Sequence, residues 1–258
     1  MTHLRGLGAL LLLIAWAAQV AAEEEAPRLR LDIEASYSNL SHGLESWTEG
    51  SVRAAYTADE DLTLTAALEV ASRFDNLDTY VEGRADHRFG PGVWGYVLAG
   101  GTPEADFRPR VAAGAGGSAR LYQDDGVLAA AVATVDTRYA SYGTGDVQSL
   151  NPGLELYLLK GRAMLTLRCI NIWDETGRHR LGYLLRTDIE PWRGITVVTG
   201  YSDAPDGSEG ATVDVRAWFA GIALDIDDTK TLRAAIGQDL RETGYDRTTF
   251  SFSLTLRR

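Results

Sequence analysis

Beyond Pro27 the chain keeps to a period of two. Leu29, Leu31, Ile33, Ala35 and Tyr37 alternate with Arg28, Arg30, Asp32, Glu34 and Ser36. Leu62, Leu64, Ala66, Leu68 and Val70 oppose Thr63, Thr65, Glu69 and Arg73, and Val81, Gly83, Ala85, His87 and Phe89 oppose Glu82, Arg84, Asp86 and Arg88. Near the end, Phe250, Phe252, Leu254 and Leu256 oppose Ser251, Ser253, Thr255 and Arg257. Successive residues of a strand point to opposite faces, so each such segment has one apolar and one polar face. No segment past the first two dozen residues has a helical period or an apolar run of the roughly 18 residues that a membrane helix needs. The chain is therefore all-β.

The alternation predicts about 14 strands, over 28–38, 50–58, 62–73, 78–89, 93–101, 108–121, 127–138, 149–159, 162–173, 179–190, 194–203, 211–225, 230–240 and 246–257, spaced as suits membrane strands of roughly 9–11 residues. One set of connections is short: 58–61, 89–92, 123–126, 160–161, 191–194 and 226–229. They carry the Gly, Pro and Asp that tight turns require. The alternate set includes the longer 39–49, 102–107, 139–148 and 203–210. All seven prolines fall outside these segments or among their first residues, where a missing N–H removes no ladder bond. Short turns on one rim and longer loops on the other are the asymmetry of outer-membrane barrels, and an even strand count puts both termini on the short-turn rim.

Alternation alone does not say which face meets water. Small residues on the polar face (Ala67, Gly114, Gly116, Ala131) suit a narrow lumen. Aromatic residues near strand ends (Tyr37, Tyr56, Phe89, Trp94, Tyr96, Trp173, Trp192, Tyr201, Phe250) suit an interfacial girdle. Both favour a transmembrane barrel over a secreted soluble sandwich. Ahead of the strands, Arg5, the apolar run Leu7 to Ala18 and the small residues of Val20-Ala21-Ala22 form the pattern of a cleaved export signal. The expected organisation is a signal peptide over 1–22 and one barrel domain over 23–258. Net charge is −11, so no basic excess exists to neutralise nucleic-acid phosphates. The single cysteine, Cys169, excludes an intramolecular disulfide and a cysteine-built zinc site.

Several short stretches resemble the YaiO-type outer-membrane β-barrel family. They are Ser72-Arg73-Phe74 with Leu77-Asp78-Thr79, Ala105-Asp106-Phe107-Arg108-Pro109, and Asn151-Pro152-Gly153-Leu154-Glu155 with Tyr157-Leu158. The strongest runs from Gly200-Tyr201-Ser202-Asp203-Ala204-Pro205 through Glu209-Gly210 to Asp214 and Gly221. The resemblance implies an outer-membrane barrel of a diderm bacterium, with membrane lipid and the barrel-assembly machinery as partners. Some relatives carry tetratricopeptide repeats ahead of the barrel and are tied to surface polysaccharide traffic, so polysaccharide or small solutes are the implied cargo.

The expected lumen-lining residues are Arg53, Glu69, Arg73, Glu82, Arg84, Asp86, Arg88, Arg120, Arg138, Arg168, Arg186, Asp188, Asp214 and Arg216. Arginine's planar fork suits fixed pairing with carboxylates or anionic ligands. Such a lining either selects solutes at a charged constriction or fills a narrow lumen with structural ion pairs. The first reading makes the protein a narrow channel or export component for small or saccharide-like solutes. The second makes it a closed barrel that binds through loops 39–49, 139–148 and 203–210. A lipid hydrolase ranks third. Ser41-His42 lies in the first loop, but Asp86 and His87 point to opposite faces of one strand, so the acid does not orient the base. Asp124-Asp125 and Asp227-Asp228 sit in turns where aspartate is expected, and the 203–210 loop lacks calcium-loop spacing. No cofactor and no metal is expected.

Overall fold

The computed structural model describes residues 28–258; the signal expected over 1–22 lies outside the described residues. Fourteen strands follow one another: β1 (Leu29–Leu40), β2 (Trp47–Thr57), β3 (Leu62–Arg73), β4 (Asn76–Gly90), β5 (Val93–Gly101), β6 (Val111–Gln123), β7 (Leu128–Ser141), β8 (Asp146–Leu158), β9 (Ala163–Trp173), β10 (His179–Trp192), β11 (Ile195–Asp206), β12 (Val213–Asp227), β13 (Lys230–Arg241) and β14 (Arg247–Arg257). Each pairs antiparallel with its neighbours in sequence, and β1 pairs with β14 from Arg30↔Arg257 to Leu40↔Arg247. The sheet thereby closes, which satisfies every edge and makes a strand-built span possible in lipid.

The alternation resolves into an outer and an inner face. Val81, Val97, Leu181, Trp218, Ile222, Phe250 and Phe252 are exposed apolar residues. In water such a band would be a large unfavourable area; against acyl chains it is solvated. Trp94 and Tyr96 depart from the expected girdle. They pair with Arg88 and Asp86 and point inward, where the Tyr96 hydroxyl donates to Asp136 at 2.6 Å.

Three of the longer outer connections are shorter than expected, and the fourth, expected over 102–107, is longer. β1 runs on to Leu40, β7 to Ser141 and β11 to Asp206, leaving 41–46, 142–145 and 207–212 as turns, with 102–110 the longest connection. Pro152 lies inside β8 rather than near its start. The β8–β9 register skips from Ser149↔Ile172 to Gly153↔Arg168. In that gap the Asn171 N–H donates to the Asn151 side chain at 3.1 Å, and the Asn171 amide donates to the Leu150 carbonyl at 2.9 Å. Side chains thus supply bonds that the proline-interrupted ladder lacks.

Candidate functional site: the charged interior and its outer mouth

Away from the rims, contacts between strands that are not neighbours identify the interior, because they reach each other only across it. Arg138 on β7 meets Glu82 on β4 at 3.3 Å. Arg168 on β9 meets Asp136 on β7 at 3.2 Å. Propagating the strand register from these pairs puts Arg53, Glu69, Arg73, Glu82, Arg84, Asp86, Arg88, Arg120, Arg138, Arg168, Arg186 and Asp188 on the inner face. Asp214 and Arg216 correct the sequence reading. They pair across β11 with Pro205 and Asp203, in the phase of Trp218 and Ile222, while Val215 is buried inside; Asp214, at the outer end of β12, reaches Arg180 of β10 over the rim at 3.5 Å. The expected assignment inverted β12 because both of its faces carry apolar residues, so hydrophobicity did not separate inside from outside.

The interior charges form separate groups. Arg84 forks onto both Asp86 oxygens at 2.8 and 2.5 Å and stacks on the Tyr96 ring at 3.6 Å. Tyr80 donates to Glu82 at 2.8 Å and accepts from Arg138 at 2.8 Å. Arg186 forks onto Asp188 at 2.8 and 2.7 Å. Arg88 pairs with Asp61 at 2.8 Å near the short-turn rim. Arg120 donates to Gln123 and stacks on Trp94 at 5.5 Å. Arg53 forms no hydrogen bond or close ion pair among the described residues; it lines the two interior cavities described below.

The outer mouth holds the densest network, and most of its members were not foreseen. Asp78, 1% exposed, accepts the backbone N–H groups of Asp106, Phe107 and Arg108 at 3.0, 2.9 and 2.7 Å. This cradle draws the 102–110 connection inward. Arg108 then reaches Glu49 and Glu69, each at 3.2 Å. Arg73 donates to Glu49 at 3.0 Å. From the opposite side Glu209 meets Arg241 at 3.0 Å, Arg247 at 3.6 Å and Arg73 at 3.7 Å, and accepts from the Tyr245 hydroxyl at 2.7 Å. Arg247 also donates to Asp239 at 2.8 Å. Trp47 packs edge-on against Phe74 and Tyr245 and carries Arg73 at 4.4 Å over its ring. The sequence signal for this site lay in the family-like stretches themselves, since Arg73, Phe74, Asp78, Phe107, Arg108 and Glu209 all come from them.

Among the described residues the interior includes two sizeable cavities. One, about 450 Å³, runs from Arg30, Asp32 and Glu34 to Glu49 and Arg108. The other, about 420 Å³, lies among Glu82, Arg138, Tyr142 and Ser208. Arg53, Glu69 and Arg108 line both, so these residues stand at the boundary between the two. Each volume falls in the range of small-molecule sites.

The β9–β10 connection shows how the outer rim is stiffened. Asp174 is buried. Burial pushes its pKa up, but bonds from the Thr176 hydroxyl, the Arg178 N–H, Arg180 and the Thr176 N–H outweigh this and hold it down to about 2. A carboxyl with a depressed folded pKa stabilises the fold above its ordinary range, and the contribution disappears as pH falls from about 4 through about 2. Acid unfolding of Asp174→Asn is expected to show a lower stability than wild type at pH 7 and a smaller loss between pH 4 and 2. Parallel acid profiles would contradict this account.

A closed, lipid-banded 14-strand barrel with a charged interior is an outer-membrane β-barrel. The family model of the YaiO membrane beta barrel domain matches residues 29–189, and the chain belongs to that family. It is a protein of the bacterial outer membrane. No curated protein matches it. Among solved structures it is similar in fold to the Acinetobacter baumannii outer membrane protein Omp33, with TM-score 0.59, 10% identity, and coverage of 92% of this chain and 100% of that one. A bacterial polysaccharide outer membrane secretin gives TM-score 0.55 at 10% identity, with 91% and 100% covered. Pseudomonas aeruginosa OpdQ gives 0.52 at 8% identity, with 90% and 97% covered.

Proposed function

We propose that the barrel is a narrow, non-enzymatic channel for small saccharide-like solutes, constricted at its outer mouth, and that it is exported as a precursor cleaved after Ala22. The observation that carries this reading is the pair of charged cavities meeting at Arg53, Glu69 and Arg108. A barrel filled only for stability would close these spaces, since buried charges are costly and apolar packing serves as well. The fold likeness to a polysaccharide secretin is in keeping with saccharide cargo. His87 supports the non-enzymatic reading: it packs on Phe89 on the outer face, away from the interior acids.

The second reading is a closed barrel serving as a surface scaffold. The buried network at the mouth favours it. Planar-bilayer recording separates the two. Wild type is expected to give small, defined current steps, and Arg108→Ala, which removes the boundary side chain, steps at least about twofold larger. A refolded, heat-modifiable barrel silent in both forms would overturn the channel reading.

A further inference from the structure

Nearly every aromatic ring on the inner face or at the mouth is engaged. Trp47 carries Arg73 and Arg247. Trp94 carries Arg120, Tyr96 carries Arg84, and Phe107 carries Arg73. Tyr80 and Tyr157 donate to Glu82 and Glu155. Tyr142 and Phe219 are the exceptions: Tyr142 packs against the Tyr80, Ala112 and Ala140 cluster, whereas the Phe219 ring makes no ring–ring or cation contact among the described residues. The register Arg186↔Gly200↔Phe219↔Gly237 places it on the inner face of β12. Its ring lies across Gly200, inside the space a Cβ there would fill. Glycine at that position leaves the room that the ring occupies as it extends over β11 toward the row of Arg186. The half-exposed Arg186, paired with Asp188, stands on β10 in the same cross-strand row, beyond the side-chain-free Gly200 of β11.

We infer that Phe219, with the Arg186–Asp188 pair, is a stacking subsite for a sugar ring. A pyranose presents a face of C–H bonds, which an aromatic π-face attracts, and an equatorial rim of hydroxyls. Guanidinium and carboxylate side by side supply donors and acceptors for adjacent hydroxyls. A simple ion would use the charged pair and not the ring; an aliphatic solute would use the ring and not the pair. The inference rests on the solute-channel reading and names the part of the solute that the interior holds.

The test is calorimetric binding of cellobiose to the refolded barrel in detergent, which needs no current. Wild type is expected to bind in the millimolar range. Phe219→Leu, which keeps apolar bulk but removes the π-face, is expected to weaken binding at least about fivefold, and Phe219→Trp to retain it. Arg186→Ala is expected to weaken it similarly. Equal affinity of wild type and Phe219→Leu, or no binding of cellobiose by wild type, would overturn the subsite. Bilayer recording of the same samples keeps the two ideas apart. Sugar binding that depends on Phe219 in an electrically silent barrel would sustain the subsite and overturn the channel. Current steps with Phe219-independent binding would do the reverse.

Discussion

Glu209→Ala is expected to make the outer mouth both less stable and more anion-selective. Glu209 is the shared partner of Arg73, Arg241 and Arg247. The Arg73 and Arg241 side chains are only 8% and 5% exposed, so neither can turn to solvent without disrupting the mouth. Stranding one member of a buried ion pair costs about 3–5 kcal/mol; Arg73 keeps Glu49 and Arg247 keeps Asp239, so the loss falls mainly on Arg241. Tyr245 also loses its acceptor. Three guanidinium groups then face the path with fewer carboxylates between them. The reversal potential across a salt gradient should shift toward that of the anion, and the denaturant midpoint should fall. Glu209→Gln, which keeps acceptor capacity without charge, should recover part of the stability and none of the selectivity. An unchanged midpoint with an unchanged reversal potential would show that Glu209 neither seals nor charges the mouth.

Asp78→Ala should release the 102–110 connection. Three backbone donors now bonded to one buried carboxylate would be orphaned together. Each unsatisfied buried donor costs about 1–3 kcal/mol, so the barrel should lose several kcal/mol unless the segment moves out to water. Movement is the cheaper response, because this is the longest outer connection and its middle is held in mainly by this cradle, the Arg108 pairs and Arg73 over the Phe107 ring. Chymotrypsin should then cleave after Phe107 in Asp78→Ala at concentrations that leave wild type intact. With Arg108 withdrawn from Glu49 and Glu69, the two cavities should join and conductance rise. A variant that stays protease-resistant, with wild-type conductance, would place the hold on this segment elsewhere.

The strand plan was legible because it is written locally. Each strand needs only its own period of two and turn residues at its ends. The expected boundaries and the observed ones differ mainly on the outer rim, where β1, β2, β7, β8 and β11 extend into segments read as loop. Those residues alternate too weakly to announce a strand, and pairing with the neighbour carries them on. The family-like stretches also pointed to the right place, since Asp78, Arg108 and Glu209 lie in them, but not to what these residues do.

The sequence by itself determined a lipid-facing all-β barrel of about 14 strands with an arginine- and acid-rich interior, because alternation and turn chemistry are properties of consecutive residues. Only the tertiary structure decided which side of β12 faces inward, that Trp94 and Tyr96 belong to the interior, and that Asp78 and Glu209 draw the mouth together. Asp78 meets Arg108 across 30 residues of chain, and Arg73 meets Glu209 from β3 across the barrel. Such pairs depend on closure and on the stagger of every intervening strand, and a pattern read along one segment carries no information about either.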